Sequence, residues 1–250
     1  PGLDAKNTPP AETAVWALQT GSGRHYARVN TAIGELDTVR SIANPSAVAQ
    51  TGDTAYLFSE SYGKLTRIDD ALPSDLDDEA LRASPSTPAG TVEASVTGDF
   101  VAYRTDSGAV YAGTLSGGAP HRVSAVAGGR DITADAIAVD DAGIVYAYSR
   151  AAGAVLRYSI PNADLAGRDA LRDGPTGSAV SLTAAGGTWF LVDADAGRLW
   201  ERGRSASRTI GLVGTVAFGQ PTAGGTAAWI ADDTGLVRLP VDGSAPTRVF

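Results

Sequence analysis

A recurring hairpin constrains this chain more than any other feature. Each copy has a glycine turn, a short apolar strand, a polar turn ending in glycine, and a second strand. The copies run Gly52-Asp53-Thr54-Ala55-Tyr56-Leu57-Phe58 to Gly63, Gly98-Asp99-Phe100-Val101-Ala102-Tyr103 to Gly108, Gly143-Ile144-Val145-Tyr146-Ala147-Tyr148 to Gly153, Gly187-Thr188-Trp189-Phe190-Leu191-Val192 to Gly197, and Gly225-Thr226-Ala227-Ala228-Trp229-Ile230 to Gly235. A sixth copy comes first, Thr13-Ala14-Val15-Trp16-Ala17-Leu18 to Gly23. Hairpin length is nearly constant, while the connections between hairpins vary. The period of roughly 40–45 residues is that of a four-stranded propeller blade. Inner strands pack on their neighbours and hold their length, whereas outer strands and loops face solvent and accept insertions.

The surrounding residues fit the same plan. A strand is predicted before each of the last five hairpins, at Ser46–Thr51, Thr91–Thr97, Ala134–Val139, Ser178–Thr183 and Thr215–Gln220. A fourth strand follows at His121–Val126, Arg208–Val213 and Pro246–Phe250. Trp16, Tyr56, Tyr103, Tyr146, Trp189 and Trp229 are read as one repeat-equivalent aromatic position, buried between neighbouring sheets. The spacing thus predicts an all-β fold, a β-propeller of six four-stranded blades over 13–250 as a single domain, after a polar, proline-rich arm at 1–12. The first unit lacks a preceding strand unless that arm supplies it. The expectation is that more chain follows Phe250, as a seventh blade or further modules. Helix is scarce. Ser74 caps a predicted two-turn helix reaching Arg82, for which an irregular outer strand is the alternative. Asn162–Arg172 fits a weaker helix or an irregular outer strand.

Composition removes several functions. The chain has 250 residues and no cysteine, so disulfides, thiolate metal sites and a cysteine nucleophile are out. The net charge of −8 argues against nucleic acid as a partner. No apolar run approaches the ~18 residues of a membrane span.

Acidic pairs stand at Asp69-Asp70, Asp77-Asp78-Glu79, Asp140-Asp141, Asp193/Asp195 and Asp232-Asp233. Paired carboxylates suit acid–base hydrolysis or calcium. At repeat-equivalent turns they also suit the capping of backbone amides, which is the reading preferred here. His25 and His121 lie in different units with no carboxylate at ligand spacing and read as surface residues. There is no Gly-x-Ser-x-Gly elbow and no Gly-Lys-Ser/Thr phosphate loop. Gly21-Ser22-Gly23 lacks the third glycine of a dinucleotide loop, and Gly117-Gly118, Gly128-Gly129 and Gly186-Gly187 read as turns. Arg24, Arg104, Arg157 and Arg202 could line a rim but make no basic stripe. No catalytic, metal or cofactor residue is assigned.

The repeat resembles the broad class of extracellular propellers that includes NHL, YWTD and streptogramin-lyase-like proteins. A narrower resemblance rests on Ala27-Arg28-Val29-Asn30-Thr31-Ala32-Ile33-Gly34-Glu35-Leu36-Asp37-Thr38 after Val15-Trp16-Ala17. This is similar to the opening of large membrane-anchored actinobacterial surface proteins, whose N-terminal propeller precedes immunoglobulin-like or fibronectin type III modules. The resemblance implies an exported, cell-surface location and transfers no catalytic residue. The streptogramin-lyase comparison would need a histidine-based magnesium site, which His25 and His121 do not form convincingly. The functional expectation is a non-catalytic module that binds a protein or cell-wall glycan through its loops. The alternatives are a lyase or glycosidase-like enzyme with acids at the central funnel, and a structural spacer in a surface assembly.

Overall fold

The computed structural model describes residues 14–19, 23–52, 54–69, 71–123, 132–162, 164–204 and 206–249. The predicted arm at 1–12, Asp53, Asp70, the 124–126 end of one predicted outer strand, Gly21-Ser22, Gly128-Gly129 and Phe250 lie outside these residues. The fold is all-β, built as six successive antiparallel meanders, the blades of a β-propeller. The chain divides into two compact units, Pro1–Ser86 and Thr87–Phe250. Among the described residues, no helix is long and apolar enough to cross a membrane.

The second unit follows the predicted plan. Its four sheets each hold four strands. They run β7 (Thr91–Thr97) through β8 (Phe100–Thr105) and β9 (Val110–Thr114) to β10 (His121–Arg122), and β11 (Ala136–Val139) through β12 (Ile144–Ser149) and β13 (Ala154–Ser159) to β14 (Asp164–Ala170). Then come β15 (Val180–Ala185) through β16 (Thr188–Asp193) and β17 (Arg198–Glu201) to β18 (Arg208–Thr209), and β19 (Ala217–Phe218) through β20 (Ala227–Asp232) and β21 (Gly235–Pro240) to β22 (Thr247–Arg248). The Asn162–Arg172 segment is an outer strand, β14, not a helix. The outer strands β10, β18 and β22 are only two residues long, shorter than predicted.

The apolar runs in these hairpins are nearly continuous because each sheet is buried on both faces. In β12, Val145 and Ala147 enter one core with Leu156 and Tyr158, while Tyr146 and Tyr148 enter the next with Trp189 and Trp200. In β16, Trp189 and Leu191 face that second core, and Phe190 and Val192 face a third with Ile230 and Leu239. Burying each such large side chain contributes about 1.5–3 kcal/mol.

Neighbouring sheets are joined at their first strands by side chains that bond to backbone. Ile137 N donates to Glu93 Oε1 at 3.3 Å, Val139 N donates to Ser95 Oγ at 3.1 Å, and Thr97 Oγ1 donates to Val139 O at 2.8 Å. These are alternate residues of β7, so one face of that strand serves the β11 backbone.

The first unit departs from the plan. Its sheets have three strands each, β1 (Ala14–Gln19), β2 (His25–Asn30) and β3 (Glu35–Ser41), then β4 (Pro45–Thr51), β5 (Thr54–Ser59) and β6 (Lys64–Arg67). The sixth copy is offset by one strand. β1 stands beside β4, the first strand of the next sheet, with Trp16 N donating to Gln50 Oε1 and Gln50 Nε2 to Ala14 O, both at 3.2 Å. Trp16 therefore sits in a first strand and is not equivalent to Tyr56 of β5. The first unit accordingly has its first strand already, and needs none from residues 1–12. The equivalence failed because any two hairpin strands joined by a glycine turn share one local pattern.

The second sheet has no fourth strand; beyond β6 it makes only an isolated antiparallel bridge between Lys64 and Ser86, which follows a short helix, α1 (Asp78–Ala83). Asp77, not Ser74, is the N-cap, accepting from Glu79 N and Ala80 N. Leu81 of α1 is fully buried with Trp16, Tyr26, Ile42 and Leu57. β3 forms a ladder with β2, and at its far end Ser41 O accepts from Leu76 N at 2.9 Å beside a parallel bridge between Ile42 and Leu76. Its edge carries Glu35, Asp37 and Arg40, and the β2–β3 register slips between Arg28 and Val29. Charges and a bulge are devices that discourage pairing at an open edge.

Candidate functional site

The acidic pairs were the first candidates for chemistry, and the fold employs them as backbone acceptors. Asp140 is 1% exposed and accepts from Ala142 N, Ile144 N and the Tyr146 hydroxyl at 2.8–3.0 Å. Burial and this bond hold the Tyr146 phenol above its usual range. Asp193 is fully buried and accepts from Thr176 N, Gly177 N and Ala196 N. Burial pushes its carboxyl up, but the three amides and Arg150 outweigh that and hold it below the usual range. A Cβ on Gly177 would lie 2.3 Å from Asp193 Oδ1, so only glycine lets this amide approach. Asp195 takes Ser178 N, Asp233 takes Thr215 N, Asp69 takes Ala71 N, and Asp141 takes Gly224 N. Asp78 and Glu79 occupy the first turn of α1. Among the described residues no group of three or more His, Cys, Asp or Glu could hold a metal ion.

The histidines do not meet. His25 is exposed on β2 beside Gln19, and His121 is exposed on β10. Of the singled-out arginines, Arg24 is exposed and Arg104 pairs with Glu93 at 2.6 Å. Arg157 and Arg202 converge on Asp169, which also accepts from Trp189 Nε1 at 2.8 Å. Tyr103, Tyr146 and Trp189 are buried as the repeat implies, but Trp229 is 38% exposed.

A groove that was not anticipated lies in the second unit, between the outer strands β18 and β22. It has a volume of about 480 Å³ and is lined by Ile210, Gly211, Val237 and Pro246 together with Arg208 and Arg248. Each arginine is anchored by an acid from the third or second strand of its own sheet. Glu201 is 3% exposed and takes both Arg208 and Arg204, and Asp232, whose side chain is fully buried, takes Arg248 at 2.7 Å. The Arg248 guanidinium holds the Asp232 carboxyl far below its usual range, with Thr234 and the Val213 amide adding to the effect. The arginines also reach across the groove. Arg208 Nη1 donates to Ser244 O at 3.3 Å, Arg204 Nη2 to Gly243 O at 2.7 Å, and Arg248 Nη2 to Gly211 O at 2.6 Å. Two guanidiniums line the groove, each paired with its own acid, and Arg204 joins Glu201 beside it. The sequence holds one weak signal for it, the arginine density of Glu201-Arg202-Gly203-Arg204-Ser205-Ala206-Ser207-Arg208. Arg248 is forty residues further on, and only the sheet repeat brings it near.

No protein-family description and no curated protein sequence matches the chain. Solved structures do match, and they establish the β-propeller fold. Kluyveromyces lactis Hsv2p aligns with a TM-score of 0.60 at 7% identity, covering 90% of this chain and 76% of that one. KlAtg21, solved in complex with the coiled coil of AgAtg16, aligns with a TM-score of 0.63 at 11% identity, covering 94% and 82%. A catalytically inactive virginiamycin B lyase from Staphylococcus aureus, solved with quinupristin, aligns with a TM-score of 0.53 at 11% identity, covering 88% and 74%. The class defined is thus the β-propeller, whose members here include one solved with a coiled coil and one lyase.

Proposed function

We propose that this chain is a non-catalytic interaction module, and that the groove between β18 and β22 takes a carboxylate-bearing segment of a partner protein. The observation that carries the reading is the pair Arg208 and Arg248 over an apolar floor, with Arg204 beside them on Glu201, in a chain of net charge −8. Guanidiniums held in place by buried acids lose little freedom on meeting an anion, and planar bidentate pairing suits carboxylates. The acids that an enzyme would need are engaged with backbone amides, and both histidines stand alone on the surface. That a neighbouring propeller was solved with a coiled coil adds a precedent for a protein partner. Export to a cell surface, implied by the sequence resemblance, belongs to the same proposal.

The test is a titration of the protein with a synthetic peptide of alternating Glu and Leu, followed through backbone amide NMR shifts. Shifts should concentrate at Thr209, Gly211 and 245–248, weaken at high salt, and fade in Arg204→Glu. Perturbations scattered elsewhere, or equal binding of a Gln-for-Glu peptide, would refute the reading.

A further inference from the structure

The hairpin turn between β5 and β6 differs from its counterparts in the second unit, although the connection has the same length. Ser59 pairs with Lys64, Ser149 with Ala154, and Asp193 with Arg198, so residues 60–63, 150–153 and 194–197 are equivalent four-residue links. At 150–153 and 194–197 only the closing glycine, Gly153 or Gly197, has positive φ, at 58° in each case. The strand-ending side chain then accepts an amide within the turn. Ala152 N donates to Ser149 Oγ at 3.3 Å, and Ala196 N to Asp193 Oδ1 at 3.0 Å.

At 60–63 the pattern is inverted. Glu60, Ser61 and Tyr62 have φ of 51°, 55° and 68°, while Gly63 is not among the residues of positive φ. Three consecutive side-chain-bearing residues in the left-handed region are unfavourable, because each brings Cβ against a carbonyl. The one residue suited to that region does not use it. Two further facts go with the inversion. Tyr62 N donates to Ser46 Oγ of β4 at 3.1 Å instead of to its own turn. Ser59, the counterpart of Ser149, is 0% exposed and its hydroxyl has no hydrogen-bond partner among the described residues. A buried orphan hydroxyl is costly, and here the missing donor is three residues away.

We propose that the 60–63 turn is a two-state element with two hands. In one, described above, Tyr62 N is held by Ser46 and the Tyr62 ring packs on Phe58 at 5.7 Å between centroids. In the other, Gly63 takes the positive φ, as Gly153 and Gly197 do, and Ser59 Oγ accepts the Tyr62 amide. Ser46 and Ser59 compete for one N–H, and the exposed tip at Glu60 and Ser61 turns over as that N–H changes partner. A protein that grips the tip in one hand stabilises that hand alone, so the turn is a place where binding can be switched. This inference is independent of the groove.

The competition makes the test sharp. Ser59→Ala removes the acceptor of the second hand, and Ser46→Ala removes that of the first. Each should change the ratio of hands about fivefold, the effect of one net hydrogen bond. In the full chain, NMR relaxation dispersion should show exchange at the Tyr62 and Gly63 amides. The two variants should move the Tyr62 amide in opposite directions along one line joining the two states. Ser61→Gly eases the left-handed run and should follow Ser59→Ala, which gives a second arm if Ser46→Ala folds poorly. Flat dispersion, with variant shifts that fall on no common line, would overturn the proposal.

Discussion

In Thr87–Phe250 every sheet has four strands, and large aromatics such as Tyr146, Trp189 and Trp200 fill the spaces between sheets. In Pro1–Ser86 each sheet has three strands, only isolated bridges at Leu76 and Ser86 stand beyond the third, and β3 carries a charged, bulged edge. The same hairpin repeat underlies both units. What separates them is how the polar end of the hairpin is completed. Thr105, Ser149, Asp193 and Asp232 each accept an amide from their own turn, whereas Ser59 accepts none. A repeat can thus share its apolar pattern throughout and still differ in rigidity, because the apolar pattern places the strands and the polar position locks the turns.

The contrast can be broken by substitution. The largest effect is expected for Trp189→Ala, which empties a fully buried site and removes one donor from Asp169. It should cost about 3–5 kcal/mol in denaturant unfolding. Trp229→Ala, at the same repeat position but 38% exposed, should cost about 1 kcal/mol or less. Equal losses would show that exposure does not separate these two positions. Next, Asp193→Ala takes the acceptor from three part-buried amides and should cost about 1–3 kcal/mol, whereas Ser59→Ala removes an orphan hydroxyl and should be neutral or slightly stabilising.

Acid sharpens the comparison further. Asp193 and Asp232 have native carboxyls below the unfolded value, so their stabilisation is complete above about pH 4 and is lost as pH falls through the lowered native values. Burial holds Glu93 above its ordinary value despite Arg104 and the Ile137 amide, so it acts in the opposite sense: stability rises as pH falls through its native value. The second unit should therefore lose stability steeply in acid, and Asp232→Asn should flatten that limb in a pH series of denaturant melts. The smallest effect is expected at the β3 edge, where Leu36 is 60% exposed. Leu36→Ser should change stability by no more than about 0.5 kcal/mol.

Much of the second unit was legible in its sequence, because glycine spacing and continuous apolar runs are local signals. Thr91–Thr97 was located to the residue, and β12 and β16 lie where the glycines bracket them. The short outer strands were overdrawn, since β18 and β22 make only two ladder pairs each. The offset of β1 was illegible because nothing local distinguishes a first strand from a second; only the Gln50 side chain beside Trp16 does. Trp229 looked like core because its neighbours Ala228 and Ile230 are, yet it points to the other, more open face of β20. The arginine groove was out of reach for a different reason. Its members are spread over residues 201–248 and are paired by register rather than by spacing.

The bonds that join the first strands of neighbouring meanders are few. Gln50 serves β1, and Glu93, Ser95 and Thr97 serve β11, while side-chain bonds such as Trp189 to Asp169 and Arg204 to Gly243 lie further out and each meander carries its own antiparallel ladder. Tension along the chain would part these side-chain links before it frayed a ladder. A pulled molecule should lengthen in discrete increments, each the contour of one meander.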